Sequence, residues 1–131
     1  MYTKDNFIKS LKNEVRIIKN LAKKIPEGTM DYRPTPVQRS TLELLQYLSI
    51  SGAGTMKAIL TGDIKVYGEY HTFTQDVDFY GIKTKVEHLI DGVLKNFAAY
   101  RMQLFLYMKS NGAYVSTMDL WAGMDTPPKQ N

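Results

Sequence analysis

The sequence predicts an all-α bundle built on three long helices, and three observations predict it. Apolar residues recur at helical spacing through three separate stretches. Two of those stretches open on a Ser/Thr-x-x-Glu capping box. Only one short segment alternates with the period of a strand.

Helix one is predicted over Asp5–Ile25. Ile8, Leu11, Val15, Ile18, Ala22 and Ile25 fall on one face. Thr3 or Asp5 can cap its start, and Pro26 with Gly28 stops it. The connector Glu27–Arg39 contains Tyr32-Arg33-Pro34-Thr35-Pro36. Each proline pushes its predecessor out of helical conformations, so a rigid loop with a packed Tyr32 is expected.

Helix two starts at the box Ser40-Thr41-Leu42-Glu43 and ends at Gly62. Its inner face is read as Leu42, Leu45, Ser49, Gly52 or Ala53, Met56 and Ile59 or Leu60. The small residues at 49, 52 and 53 suit close helix packing; room for a ligand is the alternative reading. Between 61 and 81, Ile64, Val66, Tyr70 and Thr72 alternate with Lys65, Tyr67, Glu69 and His71, which suggests an extended arm. Helix three opens on the box Thr84-Lys85-Val86-Glu87. It runs to Lys109 with Val93, Phe97, Tyr100, Leu104 and Tyr107 or Met108 on its stripe, roughly 40 Å in all. Ser110-Asn111-Gly112 stops it. Beyond it Leu120 and Trp121 are expected to fold back as an apolar plug.

A chain of 131 residues fits one domain, read as residues 1–125 with a flexible tail over 126–131. It has no cysteine, which excludes disulfides, thiolate metal ligands and a cysteine nucleophile, and fits a reducing compartment. No apolar run reaches the roughly 18 residues of a membrane span, and the first residues lack a secretory apolar region, so a cytoplasmic location without membrane partners is expected. Net charge is +4, and residues 1–24 alone carry +5. Lys9, Lys12, Arg16, Lys19 and Lys23 recur at helical spacing. Without interleaved aromatics or a helix-turn-helix pattern, that stripe reads as a solvated helix face and not a nucleic-acid surface. His88, with Glu87 and Asp91 nearby, reads the same way. No phosphate loop or nucleophile elbow is present.

Two blocks carry a family resemblance. Tyr32-Arg33-Pro34 followed by Ser40-Thr41-Leu42-Glu43-Leu44-Leu45-Gln46-Tyr47-Leu48 resembles the helix-two signature of the DinB/YfiT-like superfamily. Asn96-Phe97-Ala98-Ala99-Tyr100-Arg101-Met102-Gln103-Leu104 is similar to that family's last-helix pattern of His, three residues, then His-Arg-Gly-Gln-Leu. The resemblance covers about residues 1–62 and 83–125, and it implies a four-helix bundle. Many such proteins hold a divalent metal on three histidines, and some transfer small thiols or hydrolyse amide-like bonds. The three ligand positions fall here on Tyr47, Asn96 and Tyr100. Neutral imidazole binds zinc, nickel or iron at pH 7, whereas an amide oxygen is a poor ligand and a phenol must first lose its proton.

The resemblance therefore implies a bundle with a degenerate metal site, no cofactor, and a small-molecule pocket at Tyr47, Asn96 and Tyr100. The alternative is a metal-dependent thiol transferase or hydrolase with a non-standard site. The interval from Gly62 to Thr84 is too short for the family's remaining helix. A bundle missing one helix leaves apolar faces open, so a homodimer is expected.

Overall fold

The first helix, α1 (Lys4–Ala22), begins at Thr3, whose side-chain oxygen accepts the Asn6 N–H at 3.2 Å. Asp5 in the first turn suits the positive end of the helix dipole. The helix closes one turn earlier than Pro26 requires, and the chain reverses through Gly28, which adopts a positive φ of 76°. This computed structural model describes residues 3–61 and 89–129. Most of the arm predicted over 61–81, the box Thr84–Glu87, His71 and His88 lie outside the described residues.

The connector is tied down along its length. Tyr32 N–H donates to Thr29 O at 3.1 Å and Gln38 N–H to Thr35 O at 3.1 Å. Thr41 and Leu42 donate back to the carbonyls of Tyr32 and Met30, each at 2.9 Å. Tyr32 packs edge-on against Tyr107, with ring centroids 5.5 Å apart. The second helix, α2 (Thr41–Thr61), then starts on a reciprocal capping box. Glu43 N–H donates to Ser40 Oγ at 3.2 Å, and Ser40 N–H donates to Glu43 Oε2 at 2.7 Å. That bond, with Arg33 3.2 Å from Glu43 Oε1, holds the Glu43 carboxyl below the usual glutamate range.

A π-helical turn, Ile90–Leu94, leads straight into α3 (Lys95–Ser110); Lys95 N–H reaches back to Ile90 O. Asp91 pairs with Lys95 across that junction. At the far end Gly112, at φ 79°, makes a Schellman stop: Gly112 N–H donates to Lys109 O and Ala113 N–H to Met108 O. A last π-helical turn, Met118–Ala122, is capped by Ser116, whose Oγ accepts the Met118 N–H at 3.2 Å. Asp119 returns the contact by accepting the Ser116 N–H at 2.9 Å. Among the described residues there is no strand.

The core is centred on α3. Val93, Phe97, Leu104, Phe105, Tyr107 and Met108 are buried there against Phe7, Ile17, Ile18 and Leu21 of α1 and Leu44 and Leu48 of α2. Both α1 and α2 pack on α3 but not on each other. The buried face of each differs from the predicted one. Ile8 and Leu42 are exposed, and the residues that meet α3 lie about one position further round the helix. The predicted stripes face an open groove instead. Leu11, Val15, Ile18 and Ala22 of α1 stand opposite Leu45, Ser49, Ala53 and Met56 of α2, with Phe97 of α3 as floor. The groove encloses about 410 Å³. The predicted stripes are core only in part: Ile18 is buried, and Leu11, Ile25, Leu45, Met56 and Ile59 pack half-buried against the core, because the apolar arc of each helix is wider than one stripe.

A further expectation changes at the C-terminus. Leu120 is buried, but Trp121 is 62% exposed and lies over the Arg101 guanidinium, 5.2 Å from it, in place of entering the core. Residues 126–129, the described part of the predicted tail, make several side-chain contacts. Thr126 Oγ1 donates to Asp119 and accepts from the Ser116 hydroxyl at 2.7 Å, Tyr114 donates to the Pro127 carbonyl at 2.8 Å, and the Lys129 ammonium sits over the Tyr114 ring.

Candidate functional site

Helix α2 carries Tyr47 about two turns past its cap, and α3 carries Tyr100 near its middle. Leu44 and Leu48 bury one side of α2 against α3, so the residue between them turns along the seam. Tyr47 and Tyr100 meet there with centroids 4.8 Å apart and planes at 60°. Asn96 lies one turn before Tyr100 on the same helix and is half-buried. Of the three predicted positions, Tyr47 and Tyr100 are in ring contact.

A fourth residue joins them that sequence reasoning missed. The Arg39 guanidinium lies 4.2 Å over the Tyr47 ring and 5.8 Å from the Tyr100 ring. Its backbone is fixed as well. Tyr107 Oη donates to the Arg39 carbonyl at 2.8 Å, and Gln103 Nε2 donates to that same hydroxyl at 2.7 Å. The only sequence signal was an arginine placed directly before a capping serine.

This donor set does not fit a divalent cation. Two phenols in ring contact offer no preformed pair of anionic ligands, and a fixed guanidinium beside them repels a second positive charge. Among the described residues, no group of three or more His, Cys, Asp or Glu converges elsewhere to hold a metal.

Arg101, next to Tyr100 in the sequence, belongs to a separate buried pair. It is 3% exposed, and its Nη1 stands 3.0 Å from Glu14 Oε2. The contact is an ion pair without hydrogen-bond alignment: Glu14 Oε2 and Arg101 Nε each lack a hydrogen-bond partner among the described residues. Burial pushes the Glu14 carboxyl above the usual glutamate range, against the pull of Arg101. The basic stripe of α1 is exposed throughout, and Arg16 within it is spent on structure. It donates to Ala122 O at 2.7 Å, to Gly123 O at 3.3 Å and to Asn13 Oδ1 at 3.0 Å. No described helix is long and apolar enough to cross a membrane. No family model matches the chain, and neither a curated protein nor a solved structure matches it.

Proposed function

We propose that this chain is a DinB-like helical bundle without the family's metal chemistry, acting as a binding or structural homodimer. One observation carries the first half of this reading. At the positions where the resemblance puts metal ligands, two phenols pack together under a guanidinium, so a fixed cation of the protein replaces the expected ion. Elemental analysis of protein purified without an affinity tag tests it. The expected result is zinc, nickel and iron far below one per chain. Stoichiometric metal that is lost in Tyr100→Phe would overturn it.

The dimer rests on α2 and the groove. Of its 21 residues only Glu43 and Lys57 are charged, yet Leu42, Ile50 and Leu60 are exposed. A helix apolar on every side belongs inside a core. The groove between α1 and α2, across from α3, is uncovered by the described residues, which supports reading it as the place of a bundle's fourth helix. A second copy fits it because each chain brings the same surplus of apolar surface, and a two-fold pairing buries both at once. Sedimentation at low micromolar concentration is expected to give twice 15.0 kDa. Ala53→Glu, at the exposed groove wall, is expected to give the monomer with its helix content intact. A wild-type chain that stays at 15.0 kDa would sink the dimer.

A further inference from the structure

Of the four arginines in the chain, three spend their side chains on acceptors of the protein itself. Arg16 donates to two carbonyls and an amide, Arg33 to Glu43 and the Gln38 carbonyl, and Arg101 faces Glu14. Arg39 differs. Among the described residues its guanidinium has two aromatic rings for neighbours and no carboxylate or carbonyl. The carboxylate closest to it in sequence, Glu43, is already taken by Arg33 and the Ser40 N–H.

The geometry of that contact matters. A guanidinium carries its five N–H donors in its own plane, and a ring face attracts the cation without accepting those donors. The contact with the Tyr47 ring holds the guanidinium in place, and among the described residues no oxygen acceptor takes up its donors. The Tyr107 and Gln103 bonds fix the backbone from which it projects. Arg39 is half-buried, so part of the residue stays open to solvent. An oxyanion is the chemical complement of a pre-oriented fork: it accepts two parallel charge-assisted hydrogen bonds, and little side-chain freedom is lost on binding.

We infer that Arg39, held over Tyr47 and Tyr100, recognises a small oxyanion, either a carboxylate or a phosphate. This rests on the reading that the bundle binds a small molecule at the tyrosine pair. The structural role of Arg39 runs through its carbonyl, so changing the side chain leaves the Tyr107 bond in place.

The test is NMR titration of the full-length chain at constant ionic strength with benzoate, inorganic phosphate and benzamide, the last a neutral match for benzoate. Saturable shifts at the Arg39 Nε–H and at the Tyr47 and Tyr100 rings are expected with benzoate or with phosphate, and the stronger of the two identifies the class. Benzamide is expected to bind at least about tenfold more weakly, the scale of one charge-assisted hydrogen bond. Arg39→Gln should cost the anion at least about the same factor, and Arg39→Lys should restore part of it because charge returns without the fork. Benzamide binding as tightly as benzoate would overturn oxyanion recognition while leaving a small-molecule site. Anion binding unchanged in Arg39→Gln would overturn it too. An absence of saturable shifts with all three probes would remove both the inference and the small-molecule site on which it rests.

Discussion

At Gly52 the absence of a side chain sets how closely two helices approach. A Cβ added there would stand 2.3 Å from Cζ of Phe97, a ring buried in the core. That ring has little room to move, so Gly52→Ala is expected to destabilise the fold by about 1–3 kcal/mol, despite alanine's better helix propensity. Urea unfolding reads this directly, and an unchanged midpoint would mean that Phe97 repacks freely. Glu14 makes a different prediction. Its carboxyl lies above the ordinary range in the folded chain, so the folded state holds that proton more tightly than the unfolded one. The stability it contributes is complete below the ordinary glutamate range and is lost as pH rises through the raised value. Glu14→Gln should remove that part of the pH dependence. A wild-type and a variant with parallel stability curves across the carboxylate range would refute it.

Single elements show how far the sequence can be read. Capping is local chemistry, so the box at Ser40–Glu43 and the glycine stop at Gly112 are legible from a few residues, and the structure forms both. Ser40→Ala is expected to cost about 1 kcal/mol. The carboxylate half of the box works above the ordinary glutamate range and fades as pH falls through Glu43's lowered value. In Glu43→Gln that acid limb should flatten in thermal melts. Facing is less legible. Leu45, Ser49 and Met56 have the spacing of a core stripe, and so do Leu44, Leu48 and Ser51 one step round; nothing local says which stripe meets α3. Arg101 misleads in the opposite direction, since a charged residue is expected outside and its partner Glu14 is 87 positions away in sequence. The pairing of Tyr47 with Tyr100 was legible only through the resemblance, and Arg39 above them was not, because stacking on a ring leaves no pattern in the sequence.

Across the whole molecule, the end of α1 and the C-terminal turn are joined by an ionic clasp. The Lys24 ammonium bonds Asp119, which is fully buried, and Asp125, which is exposed. Burial alone would raise the Asp119 carboxyl; Lys24, Thr126 and the Ser116 N–H outweigh it and hold it below the usual range. Burial likewise opposes the charged form of Lys24, and the two carboxylates overcome it and raise the ammonium's pKa. Asp119 therefore contributes stability above the ordinary aspartate range, lost as pH falls through its lowered value. Lys24 contributes below the ordinary lysine range, lost as pH rises through its raised one. Lys24→Met is expected to lower the melting temperature most between those limits, and least in acid. A uniform loss at every pH would show that the clasp matters through packing alone.

The clasp also sets an order of events during synthesis. Lys24 leaves the ribosome 95 residues before Asp119, and Arg16 waits still longer for the carbonyls of Ala122 and Gly123. Contacts so distant along the chain close late and slow folding. Until they close, α1 presents its apolar side and its row of lysines to whatever is nearby. The nascent chain is thus exposed to mispairing through the 95 residues of synthesis that separate Lys24 from Asp119.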